Sequence, residues 1–414
     1  MNILLIGNGG REHAIAKKIS TSPLLTNLYF TPYNPGIEII GKFIDIPYTK
    51  EAIVSFAKEK NIDLIIIGPE QFLAEGITDY ANWNGIKIFG PSKSGAILEG
   101  SKIYSKQLMK KYNIPTAEYN VFYNYESSKD FINSCNIPIV IKADGLAAGK
   151  GVAVATTRDE AYSFLKKCFI DDGFGISGRS VVIEEFMEGI EMSALFITDG
   201  KTFLPLITAK DYKRVYDNDK GPNTGGMGSF APHNLMTESL QQEIEKLIIS
   251  PLRVAFKNEN IDYKGIIYVG LMLTNSGPKV VEFNCRFGDP ETQAILPLMK
   301  NDLLEIMFDT VGGKLSNHKL EWRNQYSCCV VIASGGYPNS YSKNIPMTFK
   351  NNPSDYIHCG TNLKDNAFFT NGGRVLNSVA LGDTLEIARD EAYKLAYGVD
   401  FEGKFFRKDI ALLK

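Results

Sequence analysis

The chain has 414 residues, 44% of them hydrophobic, enough apolar side chains for two to four lobes, since single cores stop growing near ~250–300 residues. A formal net charge of −2 supplies no global basic field to draw nucleic acid, so any anion site must be local. No apolar run approaches a membrane span, the first residues lack the basic flank of a signal peptide, and Cys135, Cys168, Cys285, Cys328, Cys329 and Cys359 show neither zinc spacing nor a secreted disulfide framework, which fits reduced thiols in a cytosol.

Residues 3–6 read as a short buried strand that Gly7-Asn8-Gly9-Gly10 turns into a helix from 12 to about 20. A dinucleotide fingerprint fails here, because Glu12 stands at its third glycine and no acid closes the next strand near 29–31. A helix N-terminus with Gly9, Gly10 and Arg11 still suits a phosphate monoester. Residues 64–67 form another strand, ending in the turn Gly68-Pro69-Glu70, and 87–91 a further one. Strands alternating with helices predict a doubly wound parallel sheet up to about residue 103. Residues 101–112 read as a helix carrying Lys106, by default an exposed helix charge.

A smaller lobe of strands and one helix, 158–168, opens at Pro115-Thr116-Ala117. Within it an apolar strand carrying Lys142 runs into Asp144-Gly145-Leu146-Ala147-Ala148-Gly149-Lys150-Gly151-Val152. The glycines let backbone N–H groups approach phosphate oxygens, with Lys142 and Lys150 offsetting charge; the same residues equally suit a glycine-rich hairpin turn. The spacing departs from a Walker A loop, since only three residues separate Gly145 from Gly149 and Gly151 follows Lys150. Val181-Val182-Ile183-Glu184-Glu185-Phe186-Met187 closes the lobe with a strand that is apolar until it reaches its acids.

Strands at 194–198 and 265–273 flank a predicted helix over 238–258. Between them, Lys210-Asp211-Tyr212-Lys213-Arg214 precedes Gly221-Pro222-Asn223-Thr224-Gly225-Gly226-Met227-Gly228, read as a long structureless stretch of the kind kept for a ligand. Its amides, Lys213 and Arg214 suit anions, and Asp211 suits an ammonium group. The strand of Val280 then ends in Glu282-Phe283-Asn284-Cys285-Arg286-Phe287-Gly288-Asp289-Pro290-Glu291. Residues two apart on a strand share a face, so Glu282 and Asn284 present oxygens together as a hard-cation pair, with Arg286 next in line. The last stretch, 327–414, reads as an α/β cap with a helix over 383–396. His13, His233, His318 and His358 are expected to be packing or surface residues.

Residues 7–14, 142–152, 221–228 and 284–293, in this order and spacing, resemble the ATP-grasp ligases and, within them, the glycinamide ribonucleotide synthetases, along residues 1 to about 413. The resemblance implies an α/β ATP-grasp fold: a Rossmann-like N-terminal domain at 1–103, an ATP-grasp domain at 104–325 with a flap lobe at about 117–192, and a C-terminal α/β domain at 326–414. It implies ATP-dependent ligation of glycine to phosphoribosylamine through glycyl phosphate, in de novo purine biosynthesis. ATP is then expected at Lys106, Lys142, Gly145, Gly149, Lys150, Gly151, Glu184, Glu185, Phe186, Met187 and Glu191. The other substrates are expected at Gly9, Gly10, Arg11, Glu12, Gly68, Pro69, Glu70, Asp211, Lys213, Arg214, Asn223, Thr224, Gly225, Gly226, Met227, Arg286 and Asp289. Mg²⁺ or Mn²⁺ falls on Glu282 and Asn284, while Lys142 and Arg286 neutralise transferred charge. The expected partners are small molecules, with no nucleic acid and no membrane, for a cytoplasmic monomer.

This chain departs from the family pattern at Ile190, at Lys210 and Tyr212 around Asp211, at Tyr33-Asn34-Pro35-Gly36, and at Gln71-Phe72. Residues 269–271, where many ATP-grasp enzymes carry a first metal-binding acid, are apolar or glycine. The alternative is another ATP-grasp carboxylate–amine ligase or a carboxylase, which would need bicarbonate and lack the 221–228 run.

Overall fold

The computed structural model describes residues 1–147, 151–233 and 235–412. Its N-terminal sheet is parallel and five-stranded, in the order Lys42–Phe43, Asn27–Thr31, Asn2–Ile6, Leu64–Ile67, Ile88–Phe89. Ile3, Leu4, Leu5 and Ile6, like Leu64, Ile65 and Ile66, are wholly buried, as expected of parallel strands covered on both faces. Strand order reverses between Asn2–Ile6 and Leu64–Ile67. Gly7 and Gly68, which follow these two strands, therefore sit at a switch point, where open α/β sheets leave a crevice.

The flap lobe is an antiparallel sheet ordered Tyr119–Phe122, Val181–Glu185, Ile139–Ala143, Val152–Ala155, packed on the helices Tyr125–Ser134 and Arg158–Phe169. Ile139–Ala143 and Val152–Ala155 are paired neighbours, so the glycine-rich segment between them connects a hairpin. The central sheet runs Phe203–Pro205, Ile190–Thr198, Gly265–Thr274, Gly277–Asn284. Leu195, Ile197, Ile266 and Tyr268 pack towards the N-terminal core, while Ala194, Phe196, Ile267 and Val269 face the helices Glu238–Ile244 and Ser250–Asn258. A π-helical turn, Glu245–Ile249, joins those helices where a continuous helix was expected.

The stretch 221–228 is not structureless. Arg214–Tyr216 pairs antiparallel with Lys220–Asn223 around a turn in which Asn218 and Asp219 adopt φ of 57° and 53°, and Gly228–Ala231 is itself a strand. The last sheet crosses the expected boundary near residue 325. Lys210–Asp211 and Gly228–Ala231 join Tyr326–Ala333, Arg374–Gly382 and Ile357–His358 in one five-stranded array, backed by the helix Leu385–Tyr397.

Candidate active site

On the flap side, Glu184 and Lys142 lie on neighbouring antiparallel strands, with Val140 opposite Glu184, so the lysine is one diagonal step away. Lys106, on the helix Lys102–Lys111, completes a buried triad: Lys142 Nζ is 3.0 Å and Lys106 Nζ 3.2 Å from the Glu184 carboxylate, and all three residues are 2–3% exposed. Burial, reinforced by Lys142, pulls the Lys106 ammonium down to about 8 against the opposing pull of Glu184. Lys142 also donates to the Val281 carbonyl at 2.9 Å. Lys106 donates to Thr116 Oγ1 at 2.7 Å, and Thr116 donates to the Val280 carbonyl at 2.6 Å. Both lysines are thus fastened to the strand that carries Glu282. Glu184 was expected at the nucleotide, but its carboxylate lies between the two lysines.

Beside the triad, Glu185 pairs with Lys279 at 3.1 Å, Phe186 is exposed and Met187 buried. Gly145 has φ +131°, and a Cβ there would meet Ser177 Oγ at 2.4 Å, so only glycine fits. Its carbonyl accepts Lys102 Nζ at 2.8 Å, a lysine the sequence reading passed over. A Cβ on Gly151 would meet that of Ala147 at 2.6 Å. Gly149 and Lys150 lie outside the described residues.

Glu282 and Asn284 share the central sheet's edge strand, Gly277–Asn284. Burial would raise the Glu282 carboxyl, but Lys213, Lys142, Lys102 and Arg286 together hold it below its ordinary range. An ionised carboxylate and an amide oxygen fit a hard divalent cation that takes its remaining ligands from water and phosphate. Among the described residues no group of three or more His, Cys, Asp or Glu is arranged to hold a metal, so the fit rests on these two oxygens. Arg286 reaches Glu70 at 3.2 Å, Glu99 at 3.2 Å, the Phe287 carbonyl at 3.2 Å and Asn284 Oδ1 at 3.4 Å. Glu99, another residue unmarked in the sequence, also accepts the Cys285 N–H at 2.6 Å.

At the sheet's switch point the helix Gly10–Ile19 begins with its own carboxylate in place. Glu12 accepts the Gly9 N–H at 2.7 Å and Arg11 Nε at 2.7 Å, while Arg11 Nη1 donates to the Phe287 carbonyl at 3.0 Å. An anion at the expected site of Gly9, Gly10 and Arg11 would face Glu12, which already accepts the Gly9 N–H and Arg11 Nε. A Cβ on Gly68 would lie 1.9 Å from Glu12 Oε1, so Gly68 clears the space for that carboxylate. Pro69 follows, and Glu70 opens the helix Glu70–Ala74 while facing Arg286. A Cβ on Gly10 would meet Gln293, Asn377 and Cys359 at 2.6–2.7 Å.

The third wall is built from residues 211–227 and 289–291. Asp211 Oδ1 is buried without a hydrogen-bond partner, and burial, then the nearby Glu291, pushes its carboxyl well above the ordinary range. Lys213 forms an ion pair with Glu191; burial would lower the ammonium, yet Glu191 and its neighbours raise it. Glu191, expected to accept a ribose hydroxyl, is paired with Lys213. Arg214 donates to the Gly221 carbonyl at 2.7 Å within its hairpin, opposite Asn223. Thr224 ties back to the Lys213 carbonyl at 2.9 Å and accepts the Gly226 N–H at 2.9 Å, and Met227 is buried. Asp289 accepts Gln293 Nε2 at 2.7 Å and pairs with Arg374 at 3.1 Å. Its carboxyl would be raised by burial, but Arg374 and Arg11 hold it low. His13 Nδ1 accepts the His358 N–H at 2.8 Å in the core, as befits packing histidines.

The comparisons with known proteins agree with one another along the chain. The phosphoribosylglycinamide synthetase N domain matches residues 1–99, its ATP-grasp (A) domain residues 100–292 and its C domain residues 327–413. The chain is 47% identical to a phosphoribosylamine–glycine ligase of Caldanaerobacter subterraneus over 99% of both chains, and 44% identical to that of Clostridium acetobutylicum over 100% of both. It is similar to the crystal structure of phosphoribosylamine–glycine ligase from Thermotoga maritima, with a TM-score of 0.88 and 37% identity over 99% of this chain and 100% of that one. The biotin carboxylase domain of a Hydrogenobacter thermophilus 2-oxoglutarate carboxylase shares the fold alone, with a TM-score of 0.76 at 16% identity, over 98% of this chain and 91% of that one. The chain belongs to the phosphoribosylglycinamide synthetase family.

Proposed function

We propose that this chain ligates glycine to 5-phospho-D-ribosylamine at the expense of ATP, giving glycinamide ribonucleotide, ADP and phosphate, as a step of purine synthesis. The observation that carries the reading is the match of all three synthetase domains in order along one chain, at more than 40% identity to ligases of the same length. A glycine carboxylate oxygen attacks the γ-phosphorus of ATP and ADP leaves. The amine nitrogen of phosphoribosylamine then attacks the glycyl carbonyl carbon, the carbon–oxygen bond to phosphate breaks, and the nitrogen sheds a proton.

Such phosphoryl transfer asks for alignment and charge neutralisation rather than a nucleophilic side chain. Lys106 and Lys142, with one carboxylate between them, retain an unbalanced positive charge suited to nucleotide phosphates. The neighbouring Gly145 to Met187 segments and Glu191 frame the nucleotide. Glu282 and Asn284 would hold Mg²⁺ or Mn²⁺, which when bound supplies further neutralisation of the β- and γ-phosphates. Asp211, whose Oδ1 is buried and without a hydrogen-bond partner, suits the ammonium of glycine, with Asn223, Thr224, Gly225, Gly226 and Met227 shaping the wall behind it. Glu12, Glu70 and Asp289, held by Arg11, Arg286 and Arg374, suit the hydroxyls and amine of the ribosylamine. Among the described residues no helix is long and apolar enough to cross a membrane. A cytoplasmic monomer remains part of this reading.

The test is ADP release with phosphoribosylamine generated in place. Release that needs both glycine and phosphoribosylamine is the expected result. Release that needs bicarbonate and ignores glycine would replace the ligase reading with a carboxylase.

A further inference from the structure

We propose that Arg374, contributed by the C-terminal sheet, is a positioning residue that assembles the acceptor side of the site from two separate loops. The inference rests on the ligase reading above. Arg374 opens the strand Arg374–Gly382 directly after Gly372 and Gly373. Its Nη2 is 3.1 Å from the Asp289 carboxylate, and its Nη1 donates at 2.9 Å to the Asp289 carbonyl and also to the carbonyl of Gly225. One guanidinium therefore joins the 223–227 loop to the 288–291 turn, across 149 and 85 residues of chain.

The loop is shaped to receive it. A Cβ on Gly225 would lie 3.1 Å from the guanidinium carbon, and the Gly225 N–H donates to the hydroxyl of Tyr337, also from the C-terminal lobe, at 3.0 Å. The next residue, Gly226, has φ +107°, and a Cβ there would lie 2.3 Å from Pro290 Cδ and 2.9 Å from Asp211 Oδ1. Gly226 is thus wedged between the turn that Arg374 holds and the carboxylate proposed for glycine. Moving Gly225 or Asp289 would shift Asp211 on one side and, through Asp289, the face opposite the Gly9 turn on the other, since a Cβ on Gly9 would lie 3.8 Å from Asp289 Oδ2. Nothing in this chain of contacts touches the Lys106–Glu184–Lys142 triad.

A planar guanidinium can serve a carboxylate and two carbonyls at once, whereas an ammonium at the end of a flexible stem cannot hold the same set. Arg374→Lys should therefore raise KM for glycine and for phosphoribosylamine by roughly 10-fold or more while leaving KM for ATP within about two-fold. Tyr337→Phe, which loses only the hydroxyl that accepts the Gly225 N–H, should move the same two constants by a smaller factor. Melting temperatures are measured alongside. A purely structural arginine would raise all three constants together with a falling melting temperature, and that result, or unchanged constants in both variants, would overturn the role. Should the lysine variant not fold, Tyr337→Phe decides alone, with unchanged glycine and phosphoribosylamine constants counting against the proposal. Wild-type enzyme in the same assay separates the two levels: if its ADP release ignores glycine and phosphoribosylamine, the ligase reading itself fails.

Discussion

The two charged walls of the cleft are built on opposite rules. On the flap side, Lys106 and Lys142 share the single carboxylate of Glu184, leaving cation in excess. On the body side, Glu12, Glu70, Glu99 and Asp289 outnumber the guanidiniums of Arg11, Arg286 and Arg374. Buried charge is tolerated only when paired or destined for a partner, so the imbalance names the partner. On the proposed reading, the flap side takes an anion such as a triphosphate. On the same reading, the body-side carboxylates offer acceptors to hydroxyls and amines, while Arg11, Arg286 and Arg374 hold them in place.

The largest way to break this contrast is Glu184→Gln, which leaves two buried lysines without their carboxylate. A loss of about 3–5 kcal/mol in stability is expected. ADP should then stabilise the variant more than it stabilises wild type, because the phosphates supply the missing anion. Equal ADP-induced shifts in melting temperature would show that the lysines do not meet the nucleotide.

Glu282→Gln tests the junction between the walls, where Lys213, Lys142, Lys102 and Arg286 converge on one carboxylate. Turnover at saturating Mg²⁺ should fall by roughly 10²- to 10³-fold. Near-normal turnover would remove Glu282 from the cation site.

On the body side, Gly68→Ala places a methyl group where Glu12 Oε1 now lies, 1.9 Å away. Displacing that carboxylate should raise KM for phosphoribosylamine by about 10-fold, the equivalent of one hydrogen bond to a charged group, with KM for ATP unchanged. A matching rise for ATP would mean that the two walls are not independent.

The most gradual effect is one of acidity. His358, bonded to Thr361 Oγ1 at 2.9 Å and to the Pro353 carbonyl at 3.0 Å, is pushed by burial down to about 4. The unfolded chain protonates this histidine first as pH falls through 6.5, so stability is intact above that value and is lost between about pH 6.5 and 4. The slope is at most about 1.4 kcal/mol per pH unit for one such histidine. Urea unfolding of wild type and His358→Asn across that range checks it, and identical slopes would refute it.

Much of this was legible from residue order. The runs at 3–6 and 64–67 are apolar on both faces, which announces parallel strands, and the period-two rule put Glu282 and Asn284 on one side. The hairpin at 214–223 was not legible, because most of its residues are exposed and no buried face imposes a pattern. Partners of charged groups were harder still. Arg286 has Asp289 and Glu291 close by in sequence as candidate partners, yet it pairs with Glu70, 216 residues away, and with Glu99. Glu184 shows the same limit: alternation along its strand fixes the face it points to, but only packing reveals two lysines there. Arg374 carries no local mark at all, since its three partners come from loops far upstream.

The five-stranded sheet that takes Lys210–Asp211 and Gly228–Ala231 from one side of residue 325 and three strands from the other bears on how such chains can be recombined. A crossover placed at 325 would exchange the last lobe as if it were a cassette, yet it would sever the ladder in which Gly228, Ser229 and Phe230 face Val330, Cys329 and Cys328. Wholly buried partners on both strands leave little tolerance for mismatch there. Chimeras should therefore keep Gly228–Ala231 with residues 326–412 from the same parent, and inheritance by linear segments is a poor guide to which parts of this molecule can be traded.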